Sequence, residues 1–204
     1  MLKKNCSGII LAGGLNKRFG GQNKAFIKIG QKYILDFIFD IFKEFFEEII
    51  LVTNEPIKYL DYDLNIVSDI LPVQGALNGI YTGLSYASNE YSFIVACDMP
   101  FLQHNLIDFI IDQAIQEEKY DIIAPDTTLG QEMLCSVYSK NCLSQFRNFI
   151  LQDKLKISRV AKSLKVKKIS EKILRQKDPD LLSFFNINTP EDLIKANLIT
   201  NNNL

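Results

Sequence analysis

Residues 6–11 (CSGIIL), 49–53 (IILVT) and 92–97 (SFIVAC) are short, almost wholly apolar runs, and each breaks off into glycine or polar residues. Runs of this length, rich in β-branched side chains, read as strands buried on both faces. A strand that is apolar on both faces needs a packed layer on each side of its sheet. That requirement restricts the chain to an α/β architecture, with helices above and below a mostly parallel sheet.

The intervening segments supply those helices. From Gln31 onward, Ile34, Phe37, Ile38, Ile41, Phe42 and Phe45 recur at i, i+3, i+4, i+7 spacing, which predicts a helix. Helices are also expected over 76–87 (despite two glycines), 106–115, 141–151 and 156–163. Further strands are expected over 65–68, 121–124 (stopped by Pro125), 133–138 and 166–169. Near the end, Thr189 is a good N-cap, Pro190 suits the first helical position and Asp192 completes a capping-box spacing, so a last helix should run to about Asn197. The chain contains no internal repeat, low-complexity tract or linker, and 204 residues suit one α/β domain.

With 47% hydrophobic and 23% charged residues, the chain can bury a sizeable core. The four cysteines (Cys6, Cys97, Cys135, Cys142) show no C-x-x-C spacing and His104 is the single histidine, so no zinc site is expected. Cys6 and Cys97 lie inside apolar runs and read as small core residues, and His104 reads as a surface residue. The N-terminus lacks a signal-peptide pattern, and no apolar run approaches the ~18 residues of a membrane span. A cytosolic protein with no membrane association is expected. Net charge is -1, but residues 140–177 hold twelve basic residues against two acidic ones. This is either a solvated helical face or a surface that attracts a multiply phosphorylated ligand or an acidic partner. Its aromatic residues, Phe146 and Phe149, have the spacing of a helix core and form no stacking platform, so nucleic-acid binding is not expected.

In open α/β sheets, ligands bind beyond the carboxyl ends of the strands. The residues placed there are 12–24 after the first strand, Asn54 after the second, Asp69 after the third and Asp98 after the fourth. Residues 11–24 read L-A-G-G-L-N-K-R-F-G-G-Q-N-K. Glycines after a buried strand let backbone N–H groups approach a phosphate chain, and Lys17, Arg18 and Lys24 add positive charge. Neither G-x-x-x-x-G-K-[ST] nor G-x-G-x-x-G is present, so this is neither a Walker A loop nor a dinucleotide fingerprint. Asp98 could hold Mg²⁺ or serve as a helix N-cap. Asn186 and Asn188, two apart, face the same side of an extended segment and could meet a ligand or metal-bound water, and Asn188 could instead only shape the turn before the last helix.

The glycine-rich segment resembles the signature of the molybdenum cofactor guanylyltransferases, L-A-G-G-x-S-x-R-M-G-x-x-K. The resemblance continues in order along the chain: Val52-Thr53-Asn54, Val67-Ser68-Asp69, Gly75-Ala76-Leu77-Asn78-Gly79-Ile80, Cys97-Asp98-Met99-Pro100-Phe101, and the terminal 185–193 segment resembling N-x-N-T-P-E-D-L. Ala76 and Asn78 stand where the family has proline and a small residue, and Gln131-Glu132 where it has His or Gln followed by Pro.

The resemblance implies a single Rossmann-like, glycosyltransferase-A-like nucleotidyltransferase domain over 1–200, its N-terminal part binding nucleotide and its C-terminal part the acceptor. It implies GMP transfer from GTP to a molybdopterin-type cofactor, with pyrophosphate released and Mg²⁺ as cofactor. Arg18, Lys24 and Asp98 would be catalytic, with Asp98 on the metal. Leu11, Ala12, Gly13, Gly14, Lys24, Asn54, Asp69 and Asp98 would contact the nucleotide, and Asn186 and Asn188 the acceptor. The second glycine of L-A-G-G leaves room for guanine, and an acidic residue suits its N1–H and N2–H₂ donors. Molybdenum-insertion proteins or molybdoenzymes would be its protein partners. Transfer of a cytidylyl group, a sugar-phosphate acceptor, and a non-catalytic nucleotide-binding module are the alternatives.

Overall fold

A computed structural model describes residues 3–13, 23–117 and 119–202. In chain order the elements are β1 (Ser7–Leu11), the hairpin β2 (Lys28–Ile29) and β3 (Lys32–Tyr33), α1 (Ile34–Phe45), β4 (Ile49–Val52), β5 (Asn65–Val67), α2 (Ala76–Tyr86), β6 (Tyr91–Ala96), α3 (His104–Gln116), β7 (Ile122–Thr127), β8 (Gly130–Gln131), β9 (Cys135–Ser139), α4 (Cys142–Leu151), α5 (Ile157–Val160), β10 (Val166–Ser170), α6 (Glu171–Leu174) and α7 (Pro190–Asn202). Among the described residues, eight strands form one sheet in the order β10-β7-β9-β6-β1-β4-β5, with β8 paired to β7. β1 is parallel to β4 and β6, β4 to β5, and β7 to β10, whereas β9 runs antiparallel to both β6 and β7. The fold is therefore a mixed α/β domain around a mostly parallel sheet.

The doubly apolar strands divide their side chains between two cores with the period of two that a strand imposes. Ile10, Leu51, Phe93 and Val95 join one core, with Phe42 and Phe45 of α1 and Leu106 and Ile110 of α3. Ile9, Ile50, Val52 and Ile94 join the other, with Leu77, Ile80 and Leu84 of α2 and Phe146 of α4. All of these are buried, and each such side chain stabilises the fold by roughly 1.5–3 kcal/mol relative to exposure. The glycine in the middle of α2 has a packing reason. A Cβ at Gly83 would stand 2.6 Å from Ile9 Cγ2, so α2 rides closer to β1 than any larger residue allows.

The expected elements recur with small shifts and some differences. Pro125 does not stop its strand, because β7 continues through it to Thr127. Its carbonyl accepts from the Glu132 N–H at 2.9 Å on the β9 side. An N–H at Pro125 would point the same way, and the β7–β9 ladder has already ended at Ile123. The missing donor therefore breaks no rung, while β10 pairs along the other side as far as Asp126. The β2–β3 hairpin, turned at Gly30 with φ +59°, intervenes before α1. The last helix extends to Asn202, past the expected Asn197.

Candidate functional site

Parallel pairing brings the carboxyl ends of β1, β4, β5 and β6 to one rim. The strand ends are locked to one another there: Ala12 N–H donates to Val52 O (2.9 Å), Thr53 N–H to Val67 O (2.9 Å) and Cys97 N–H to Leu11 O (3.0 Å). Leu11 is half-buried, Ala12 is buried, and Gly13 is exposed with open space around its Cα. Gly14, Lys17 and Arg18 lie outside the described residues.

Lys24 follows the glycine-rich segment and opens a short 3-10 turn, Lys24–Phe26. Its Nζ donates to Asp98 Oδ2 at 2.8 Å and to Asn188 Oδ1 at 2.6 Å, joining groups 74 and 164 residues away. Both members of the Lys24–Asp98 ion pair are largely buried. Among the described residues, Asp98 Oδ1 is buried without a hydrogen-bond partner. A buried carboxylate oxygen without a donor is costly, and a bound cation would satisfy it. Asp98 caps no helix: it sits in the turn after β6, and α3 begins only at His104. The backbone ties the C-terminal segment to the same place, since Ile187 N–H donates to Asp98 O at 2.9 Å. Beneath Asn188, Asp192 Oδ2 accepts from the Asn188 (3.0 Å) and Thr189 (2.9 Å) N–H groups, and Thr189 Oγ1 accepts from Asp192 N–H (3.2 Å). This is the expected capping box, and it fixes the backbone that presents Asn188. Backbone donation from Asn188 holds the Asp192 carboxyl below the usual range. Asn186 turns back on its own loop, its amide donating to Phe184 O at 3.0 Å.

The second pair on the rim is Asn54 and Asp69. Asn54 Nδ2 donates to Asp69 Oδ2 at 2.9 Å, and Asp69 N–H donates to Asn54 Oδ1 at 3.3 Å. Burial pushes the Asp69 carboxyl up, and the Asn54 hydrogen bond opposes part of that shift. The loop that follows is held from α2. Buried Asn78 donates to both Leu71 O and Val73 O at 2.8 Å, and Thr82 Oγ1 accepts from Ile70 N–H at 3.1 Å. The amide at position 78, where the family has a small residue, therefore serves as a clamp on residues 70–73.

Farther along the rim, Glu132 follows the β7–β8 turn. It is half-buried, and burial raises its carboxyl, partly offset by a hydrogen bond with Thr127. Within the basic segment, Lys167 Nζ is committed to Gln113 (2.7 Å) and Glu117 (2.6 Å), and Arg175 to Glu171 (2.8 Å). Arg147, Lys156, Arg159, Lys162 and Lys165 are exposed. Phe146 is buried in the core, as its spacing implies. All four cysteines are buried thiols, with burial pushing Cys6 and Cys97 up to about 12. His104 lies on the surface at the start of α3, 3.0 Å from Glu44. Among the described residues, no cluster of three His, Cys, Asp or Glu could hold a metal, and no helix is long and apolar enough to cross a membrane.

A parallel α/β rim gathers a lysine-bound aspartate and an amide-bound aspartate beyond its strand ends, and the chain is by class a nucleotidyltransferase. Residues 8–168 match the MobA-like NTP transferase domain, and the chain belongs to that family. It is 43% identical over 190 residues to the molybdenum cofactor guanylyltransferase of Desulfosudis oleivorans, covering 93% of each chain. It is 40% identical over 196 residues to a probable molybdenum cofactor guanylyltransferase of Natranaerobius thermophilus, covering 94% of this chain and 95% of the relative. Its fold superposes with a TM-score of 0.86 on the crystal structure of molybdopterin-guanine dinucleotide biosynthesis protein A from Archaeoglobus fulgidus, at 24% identity and over 96% of this chain and 99% of that one.

Proposed function

We propose that the protein transfers GMP from GTP to the phosphate of a molybdopterin-type molybdenum cofactor and releases pyrophosphate. The convergence of Lys24, Asp98 and Asn188, with one buried Asp98 oxygen awaiting a ligand, carries this reading. An oxygen of the acceptor phosphate attacks the α-phosphorus of GTP. A new P–O bond forms, the bond to the α,β-bridging oxygen breaks, and its electron pair leaves with pyrophosphate. The acceptor phosphate is already ionised at neutral pH, so no general base is needed. Lys24 balances charge developing on the phosphoryl oxygens, aided by Arg18 and the N–H groups of Gly13 and Gly14. Asn188 orients Lys24, and the 186–188 segment lines the acceptor side, so that the N-terminal part serves the nucleotide and the C-terminal part the acceptor.

The donor set suits Mg²⁺, which commonly takes one or two carboxylates and fills its remaining positions with water and substrate phosphates. Asp98 Oδ1 is the group that would hold it, and the ion would supply Lewis-acid stabilisation of the phosphates when bound. Asn54 and Asp69 meet the guanine edge: the Asp69 carboxylate accepts from N1–H and N2–H₂, and Leu11, Ala12, Gly13 and Gly14 contact the nucleotide. The setting is the cytosol, and the product passes to molybdenum-insertion proteins or molybdoenzymes, with the exposed cations of 147–165 offering an acidic partner a contact.

The test is calorimetric titration of GTP, CTP, ATP and UTP with Mg²⁺ into wild type and Asp98→Asn. GTP preference, with the metal-dependent part of binding lost in the variant, is expected. CTP preference would move the protein to cytidylyl transfer, and no triphosphate binding would remove the reading.

A further inference from the structure

Lys24 is held from behind as well as from the front. Asn23, only 6% exposed, spends its whole amide on three partners. Its Oδ1 accepts from Ala25 N–H at 3.1 Å and so caps the turn that begins at Lys24. Its Nδ2 donates to Glu55 Oε2 at 3.0 Å and to Tyr59 Oη at 2.8 Å. Tyr59 is fully buried, and its hydroxyl also meets the Thr53 side chain. Thr53 Oγ1 lies 3.4 Å from Ala12 O and accepts from Glu55 N–H at 3.1 Å. The Phe26 ring packs on Tyr59 with centroids 5.0 Å apart. Both ends of the glycine-rich segment are thereby fastened to one point: Ala12 through Thr53, and Asn23 through Tyr59 and Glu55. That point flanks Asn54 on both sides in sequence.

We propose that Asn23 is a positioning residue for nucleotidyl transfer: through Tyr59 and Glu55 it couples the base-reading end of β4 to Lys24 and sets the ammonium against Asp98. This rests on the reading of Lys24 and Asp98 as the transfer centre. Lys24 has a long, flexible stem and few preferred geometries of its own, so its aim depends on the backbone that carries it. Asn is the residue type this place requires. Serine could cap the turn but has one donor, and aspartate could cap it but has none to give Glu55.

The decisive experiment exchanges donor and acceptor. Asn23→Asp keeps the cap and sets a carboxylate against Glu55. Adding Glu55→Gln restores a donor–acceptor pair with the roles reversed. Pyrophosphate release at saturating GTP and molybdopterin is expected to fall on the order of 100-fold in Asn23→Asp, as displacements near 1 Å at a reacting centre do, and to recover at least tenfold in the double variant. GTP affinity by calorimetry should stay within about threefold in both, because the network shifts an aim point and not the base contact. Tyr59→Phe, which removes one hydroxyl, should lower kcat about tenfold and keeps the idea testable if Asn23→Asp folds poorly. Unchanged kcat in Asn23→Asp or in Tyr59→Phe would overturn the proposal, as would a loss that the swap does not recover. Wild type that releases no pyrophosphate from any triphosphate would instead remove the reading beneath it.

Discussion

Two carboxylates stand on the same rim on opposite sides of β1, Asp98 after the adjacent β6 and Asp69 after β5, one strand farther out beyond β4, and they are kept in opposite ways. Asp98 faces an ammonium: Lys24 holds one oxygen, and among the described residues no donor reaches the other. Asp69 faces an amide that both gives and takes a hydrogen bond, and burial raises its carboxyl. In the first environment, an ammonium beside an unbonded carboxylate oxygen is an arrangement that suits a phosphoryl-transfer centre. The second is neutral and directional, which suits reading the donor pattern of a base. The same residue type, beyond the carboxyl ends of parallel strands, thus meets two different environments on the two sides of β1, and the proposed reading gives chemistry to one and recognition to the other.

The sharpest way to break this contrast is to disable each pair in turn, at Asp98 and at the amide that holds Asp69. Asp98→Asn is expected to lower kcat at saturating GTP by about 10²–10³-fold, the scale of losing one preorganised electrostatic contact, as read by pyrophosphate release. Asn54→Ala should leave kcat within a few-fold and raise the GTP KM roughly 10-fold, the scale of a polar contact left unpaired. If Asn54→Ala lowered kcat as much as Asp98→Asn does, the division of labour would be wrong.

A pH series sharpens the comparison further. Asp69 binds its proton more tightly in the folded chain than in the unfolded one, because burial disfavours its charge. Between the ordinary aspartate value (~3.9) and the raised one, the folded protein therefore carries the extra proton, and the contribution of this group to stability falls as pH rises through that window. On the proposed reading it is the ionised form that accepts from guanine, and that form is complete only above the raised value. The KM for GTP should accordingly climb as pH is lowered toward it, and Asp69→Asn should flatten that climb. A KM profile identical in wild type and variant would refute this. The smallest effect should come from beneath the transfer centre: Asp192→Ala removes the capping box under Asn188 and should cost ~1 kcal/mol of stability in urea unfolding. The deficit should shrink as pH falls through the lowered Asp192 pKa, where the wild-type carboxylate is itself protonated.

The sheet and its helices were legible because the residues that form them are also the residues that fill the two cores. Apolar runs of fixed length leave little freedom over which face packs where. What stayed hidden was short or long-range. The β2–β3 hairpin and β8 are two-residue strands, too brief for any alternation to register. Pro125 misled because the rule against proline in a strand concerns the donor it lacks, and here that donor would have faced a side the ladder had left. Within the site, the family motifs pointed to Lys24, Asp98 and Asn188, but nothing in their spacing foretold that one ammonium would join the other two. Asn23 was invisible for the same reason: Glu55 and Tyr59 lie 32 and 36 residues away. Asn186 and Asn188 share a spacing but not a fate, because the turn at Leu182–Phe184 offers Asn186 a carbonyl of its own.

Among the described residues the sheet ends in β5 at one side and β10 at the other. An open edge offers its unpaired backbone to any strand of another chain, and lysines along it discourage that docking. β5 is only three residues long, and β10 carries Lys167 and Lys168, with Lys165 just before it. Part of the basic segment thus stands where positive charge disfavours edge-to-edge pairing of one copy with another.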